Sequence, residues 1–165
     1  MKDAVMVFTR KTIPELFAAG GTGDWVADRA RVEKCEYVIC TRNSEGGPPW
    51  PTNASGGVAH GAAFLVGRGL TVTAPDAELR VVIGFREYAE INQPQCWPGN
   101  RNPVAYGGAE PMLKGLDLDS LDWKPFPFDL VAPPEAKPLT IAQAKAGLAV
   151  GLGVPETAVE ITIRA

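Results

Sequence analysis

AAFLVGRGLTVTA (62–74) and ELRVVIGFREYAEI (78–91), joined through PDAE, read together as two strands connected by a short hairpin. Both runs are rich in Val, Ile, Leu, Thr and Phe, the residue types that fit a pleated, half-buried surface. Gly67, Gly69 and Gly84 interrupt them, which predicts bulges or sharp bends, the device by which a small sheet curls towards a barrel. A curled sheet is therefore expected rather than a flat one.

Working outward, CEYVICTR (35–42) supplies a third strand, again β-branched and aromatic. Between it and the pair lies NSEGGPPWPTNASGGVAHG (43–61), too rich in Gly and Pro for regular structure. A loop of that length inside a compact domain is either functional or disordered. On the N-terminal side, TIPELFAAG (12–20) reads as a short helix: Thr12 caps it, Glu15 completes a capping box, Pro14 sits in the first turn and Gly20 ends it. Trp25, Val26, Arg29 and Val32 are near helical spacing and predict a second helix over 25–34, which makes GGTGDW (20–25) a helix-to-helix turn.

Downstream, residues 92–138 are punctuated by prolines and hold one helical turn near DLDSLDW (117–123). Thr140 with Gln143 forms a second capping box, Ile141, Ala144, Leu148 and Leu152 make an apolar stripe, and Gly153 with Pro155 stops the helix. AVEITIRA then alternates apolar and polar residues, the pattern of a half-buried strand whose edge would pair within the chain or across a homodimer. There is no internal repeat. The reading is an α+β fold: a small, mostly antiparallel curled sheet or barrel, short N-terminal helices, and a C-terminal helix–strand unit. We expect one domain over 1–165, with a barrel-like core over 35–130 and the terminal unit over 139–165.

Composition narrows the function classes. At 165 residues the chain is long enough to bury a core without staples, and its formal net charge of -3 argues against broad phosphate-driven nucleic-acid binding. Charged residues at 21% and hydrophobic residues at 45% are ordinary globular values, whereas 18 Gly and 15 Pro imply many turns and shaped loops. No apolar run approaches the roughly 18 residues that span a bilayer, and MKDAVMVFTRKTIPEL lacks the apolar core of a secretory signal, so a cytoplasmic protein with no membrane partner is expected.

The three cysteines, Cys35, Cys40 and Cys96, are an odd number without a CxxC, and reduced thiols are expected. With His60, the only histidine, they have the residue types of a zinc site. Cys35 and Cys40 are an odd offset apart and diverge on an extended strand, so buried structural thiols are expected and no metal or cofactor is assigned. The same residues offer a Cys/His nucleophile pair, with Cys96 or Cys40 activated by His60. Asp117, Asp119 and Asp122 lack the spacing of a calcium loop and read as a solvated turn.

A different pattern recurs at strand ends: Arg and Asn beside aromatic residues, in TRN (41–43), FREYAEIN (85–92) and WPGNRNPVAY (97–106). Arg and Asn supply planar, directional donors, and Trp and Tyr faces stack on planar ligands. The competing reading makes Arg86 and Glu87 a surface pair and places Trp50, Trp97 and Tyr106 as plugs of the barrel ends.

The order EYVICTRN, long loop, HGAAFLVGRGLTV, RVVIGFREYAEI, NRNPVAYG and LDWKPFP resembles the small barrels of the PUA-like superfamily, which includes EVE and ASCH domains. It also resembles uncharacterised bacterial proteins with a CTRN…HGxAFLxG…EYA…W…RNPVxY arrangement. The resemblance spans about residues 35–130. It implies RNA or modified-nucleobase binding in a cleft at the barrel mouth, lined here by Arg42, Asn43, Trp50, His60, Tyr88, Trp97, Arg101, Asn102 and Tyr106. A binding module for a nucleobase-like or nucleic-acid ligand, without covalent chemistry, is the leading expectation. A small thiol-dependent hydrolase or transferase and a protein-interaction module are the alternatives.

Overall fold

The computed structural model describes residues 2–45, 57–74, 80–133 and 139–164. The chain divides into two compact units, Met1–Ala132 and Pro133–Ala165. In the first unit the elements run β1 (Asp3–Thr9), α1 (Ile13–Ala18), β2 (Thr22–Val26), α2 (Arg29–Val32), β3 (Tyr37–Arg42), β4 (Ala63–Thr73), β5 (Arg80–Gln93), β6 (Val104–Gly108), α3 (Ala109–Met112) and β7 (Lys124–Pro125). They form one mixed, curled half-barrel sheet of order β2-β5-β4-β3-β1-β6, with the short β7 pairing β5. The α+β expectation is met.

The anticipated hairpin is the backbone of this sheet. β4 and β5 pair antiparallel from Ala63–Gln93 to Thr73–Val82; the turn expected at PDAE lies outside the described residues. Of the bulges or bends expected at the glycines, no bulge forms there and one bend does. Register shifts fall between Ala63 and Leu65, between Cys40 and Thr41, and between Thr22 and Trp25, not at Gly67, Gly69 or Gly84. Gly67 instead makes room for a ring: a Cβ there would lie 2.6 Å from Phe85 Cγ. Gly69 supplies a local left-handed bend at φ 67.

The strand that organises the sheet is β1, which the sequence reading passed over. DAVMVFT shows no alternation because both of its faces are covered. Val5 and Val7 join a core on one face with Leu16, Phe17, Val38, Phe64 and Phe126, while Ala4 and Met6 join a second core with Ile39, Ala105, Leu113 and Leu118. β1 runs parallel to β3 and antiparallel to β6.

The N-terminal helix is as expected, with the Glu15 carboxylate accepting the Thr12 N–H at 2.7 Å and the Thr12 hydroxyl at 2.8 Å. The predicted helix over 25–34 is corrected. Trp25 and Val26 belong to β2, paired to Val81 and Arg80, and only Arg29–Val32 is helical. Pairing to the edge of β5 overrides a helical spacing that rested on four residues.

The second unit holds α4 (Ile141–Leu152), with reciprocal Thr140–Gln143 hydrogen bonds at 2.9 and 3.2 Å and a left-handed Gly153 at φ 65. The strand expected over AVEITIRA is not formed: a 3-10 turn covers Glu156–Ala158, and 159–164 has no ladder. Alternation makes a strand only where another strand offers its edge, and none among the described residues does so here. Among the described residues, no helix is long and apolar enough to cross a membrane.

Candidate functional site

Because β1 and β3 are parallel, their C-terminal ends, Thr9 and Arg42, emerge side by side. Crevices beyond the carboxyl ends of parallel strands are habitual ligand positions in open sheets. Backbone hydrogen bonds lock the neighbouring loops to this end. Asn43 N–H donates to Thr9 O at 2.7 Å, Phe8 N–H to Pro103 O at 2.9 Å, and Gly61 N–H to Arg42 O at 2.8 Å. The Gly61 carbonyl then accepts the N–H groups of both Cys96 and Trp97, each at 2.9 Å. Gly61 has φ 76, a backbone that favours glycine, and the 94–103 segment is held at one end by this residue and at the other by the Phe8–Pro103 bond.

Three rings converge there. Phe8 and Trp97 lie parallel with centroids 4.7 Å apart and 1° between their planes, and His60 meets Phe8 edge-on at 5.1 Å. His60 is exposed, and its Nδ1 lies 3.0 Å from the Ser44 hydroxyl and 3.3 Å from the Ser44 N–H. The backbone donor requires Nδ1 to accept, which leaves the proton of a neutral imidazole on Nε2, facing away from Ser44.

The predicted mouth residues separate into two groups. Arg42, Asn43, His60, Trp97 and Asn102 gather around this end. Arg42 donates through Nη1 to Val58 O, in the stretch that precedes β4. Asn43 and Asn102 close turns by accepting Glu45 N–H at 3.0 Å and Val104 N–H at 3.2 Å through Oδ1, which leaves each Nδ2 outside those bonds. Arg101 is exposed in the same loop. Tyr88 is elsewhere: it is 9% exposed, sits in the core face of β5 and meets Phe17 at 4.8 Å. Tyr106 is in the middle of β6, opposite Val5, with the Arg31 guanidinium 4.1 Å above its ring. Burial pushes its hydroxyl pKa up; the Asp28 backbone opposes the shift without reaching hydrogen-bonding geometry. Trp50 lies outside the described residues.

Sequence reasoning missed Phe8 and Ser44. The available signal for Phe8 was the apolar run ended by Thr-Arg-Lys, which marks a buried strand leaving a sheet. Ser44 carried none, since its contact with His60 spans sixteen residues of loop.

The thiol reading loses support from the geometry. Cys40 is fully buried, and burial pushes its thiol up to about 12. Burial also raises Cys35 and Cys96, whereas a nucleophilic thiol needs a lowered pKa. Cys40 packs in the first core and Cys96 in the second, on opposite faces of the sheet. Among the described residues, no group of three or more His, Cys, Asp or Glu is placed to hold a metal ion.

The acidic run behaves as a turn: Asp117 accepts Asp119 N–H at 3.0 Å, Asp119 pairs with Lys2 at 2.9 Å and Asp122 with Lys124 at 3.5 Å. Glu87 pairs not with Arg86 but across the strands with Arg68 at 2.7 Å, and the Arg68 guanidinium lies 4.2 Å over Trp123. Neighbouring residues on one strand point to opposite faces, so directly opposed residues meet instead.

The segment 96–102 has a second side. Cys96, Pro98 and Asn100 wall a cleft of about 390 Å³ floored by Met6 and Ala105, with Met112 and Lys114 across it. No protein-family model, curated protein or solved structure matches the chain.

Proposed function

We propose that the chain is a binding module for a planar, nucleobase-like ligand taken at the end of the parallel pair β1/β3. One observation carries this reading: Trp97 is a partly exposed indole held flat by Phe8 behind it, with His60 edge-on beside the pair. A ring fixed in orientation before binding offers a stacking surface at low entropic cost, and base–aromatic stacking contributes about 1–3 kcal/mol per base. The side-chain amide nitrogens of Asn43 and Asn102 and the exposed Arg101 supply directional donors around it. Stacking favours this end over the cleft beside Cys96. The one ring lining that cleft is Tyr106, and Arg31 already lies over it.

The test is a combined tryptophan-fluorescence and thermal-shift titration with nucleobases, modified nucleosides, nucleotides and short single-stranded oligonucleotides. One planar ligand should quench and stabilise the protein, with both effects lost in Trp97→Ala and kept in Tyr88→Phe. Silence of the whole panel at millimolar concentration would refute the reading.

A further inference from the structure

β6 is the terminal strand of the sheet, and no described residue of its unit pairs with its outer side. Its ladder with β1 is phased by two hydrogen bonds at its ends, Phe8 N–H to Pro103 O at 2.9 Å and Ala109 N–H to Lys2 O at 2.8 Å. Antiparallel partners alternate between bonded and non-bonded pairs, so residues 105 and 107 turn their peptide groups towards β1, and residues 104, 106 and 108 turn theirs outward. The outward Val104 N–H is taken by Asn102 Oδ1 at 3.2 Å, which closes that end of the edge. Tyr106 presents both its peptide groups and Gly108 its N–H to the outer side, where no described residue of the unit takes them, while the Gly108 carbonyl faces the first turn of α3 as its N-cap.

Clefts open on both faces of this edge, and Tyr106 and Gly107 line both. On the face bearing Met6 and Ala105, the cleft of about 390 Å³ is walled by Cys96, Pro98, Pro111 and Met112, a soft apolar surface, with Asn100 and Lys114 also lining it. On the opposite face, a cleft of about 270 Å³ carries Arg31 and Lys34, with Asp3 at its margin. Neither Arg31 nor Lys34 makes an ion pair among the described residues. A strand added to an edge sends its side chains alternately to the two faces, so main-chain bonds give affinity and the two clefts select alternate residues.

We propose that the β6 edge accepts an extended segment of a partner polypeptide that alternates apolar and acidic side chains. The apolar positions fill the cleft beside Met6 and Met112, and the acidic ones meet Arg31 and Lys34. This surface uses the other side of the 96–102 segment from the Phe8–Trp97 stack.

The experiment is fluorescence polarisation of the intact chain with labelled peptides: one alternating leucine and glutamate, one alternating leucine and lysine, and one with the same leucines and glutamates in two blocks. The first should bind at least about tenfold more tightly than the others, and added salt should weaken it. Gly108→Pro should weaken it by about tenfold or more, because φ -71 at Gly108 suits a proline ring while the outward N–H is lost. Arg31→Glu, at an exposed residue, should weaken it comparably, and His60→Ala, at an exposed residue that lines neither cleft, should leave it unchanged. Three results would each overturn the proposal: equal binding of the blocked peptide, indifference to both edge variants, or no binding at millimolar peptide by protein with an intact melting transition. A dimer of the chain alone that Gly108→Pro dissociates would give the edge to a second copy, and would equally overturn it.

Discussion

Phe8 and Trp97 stack face to face, 4.7 Å between ring centroids, although eighty-nine positions separate them along the chain. Phe8 ends a strand, Trp97 sits in a proline-rich loop, and the Gly61 carbonyl ties the loop to the sheet. The pair should therefore be coupled energetically as well as geometrically. Phe8→Ala and Trp97→Ala should each cost about 1–3 kcal/mol, less than full core truncations because both rings are partly exposed. The double variant should lose about 0.5–1.5 kcal/mol less than the sum, as measured in urea by a double-mutant cycle. Strict additivity would show that the stack contributes nothing beyond two separate burials.

Gly67 and Gly147 should respond oppositely to alanine. A Cβ at Gly67 would press into the Phe85 ring at 2.6 Å, in the core, and Gly67→Ala should destabilise the first unit by about 1–3 kcal/mol. Gly147 lies inside α4 with nothing within 4 Å of a Cβ, and Gly147→Ala should stabilise that helix by about 0.5–1 kcal/mol. Denaturant unfolding by circular dichroism reads both. A neutral Gly67→Ala would mean that Phe85 can move aside freely.

Cys40 predicts an alkaline limit. Its folded thiol is raised to about 12 from an ordinary 9.0 by burial, so the fold favours the protonated form. The stability tied to that thiol is complete below pH 9 and is lost as pH climbs towards 12. Cys40→Ala should be less stable at neutral pH because a buried side chain is removed, yet its stability should fall less steeply between pH 9 and 12. Thiol-reagent kinetics give a second check: Cys35 should react first in the native protein, and Cys40 only on unfolding.

Glu15 predicts the acid side. The Thr12 N–H, and then its hydroxyl, hold this carboxyl below its usual 4.5. The stabilising contribution is present above the unfolded pKa and disappears as pH falls through the lowered folded value. Glu15→Gln should keep the capping box while flattening the pH dependence of the melting temperature below about pH 5. An unchanged acid slope would show that the carboxylate charge does not matter to the cap.

Legibility in the sequence followed locality. Both capping boxes, the β4–β5 pairing, the third strand and the Gly153 stop were readable because each signal lies within a few residues of what it controls. β1 escaped because a strand covered on both faces has no period, and β2 because four residues, three of them apolar, imitated a helix. The strand read into 159–164 failed for the converse reason: its alternation is real, but among the described residues no strand pairs with it. Of the candidate mouth, Arg42, Asn43, Trp97 and Asn102 stood out as Arg, Asn and aromatic residues in runs at strand ends, and His60 entered through the family resemblance alone. Tyr88 lies away from that end because strand register, invisible locally, turns it into the core.

The sequence by itself determined the α+β class, the curled sheet's central hairpin and the two helices with capping boxes, since caps, turns and periodicity act through neighbouring residues. Tertiary structure alone decided that β1 runs parallel to β3, that Phe8 backs Trp97, and that β6 is left as an edge between an apolar and a cationic cleft. Those relationships depend on which strands find one another across long stretches of chain. That choice is made by burying both faces of β1 at once, and no local signal encodes it.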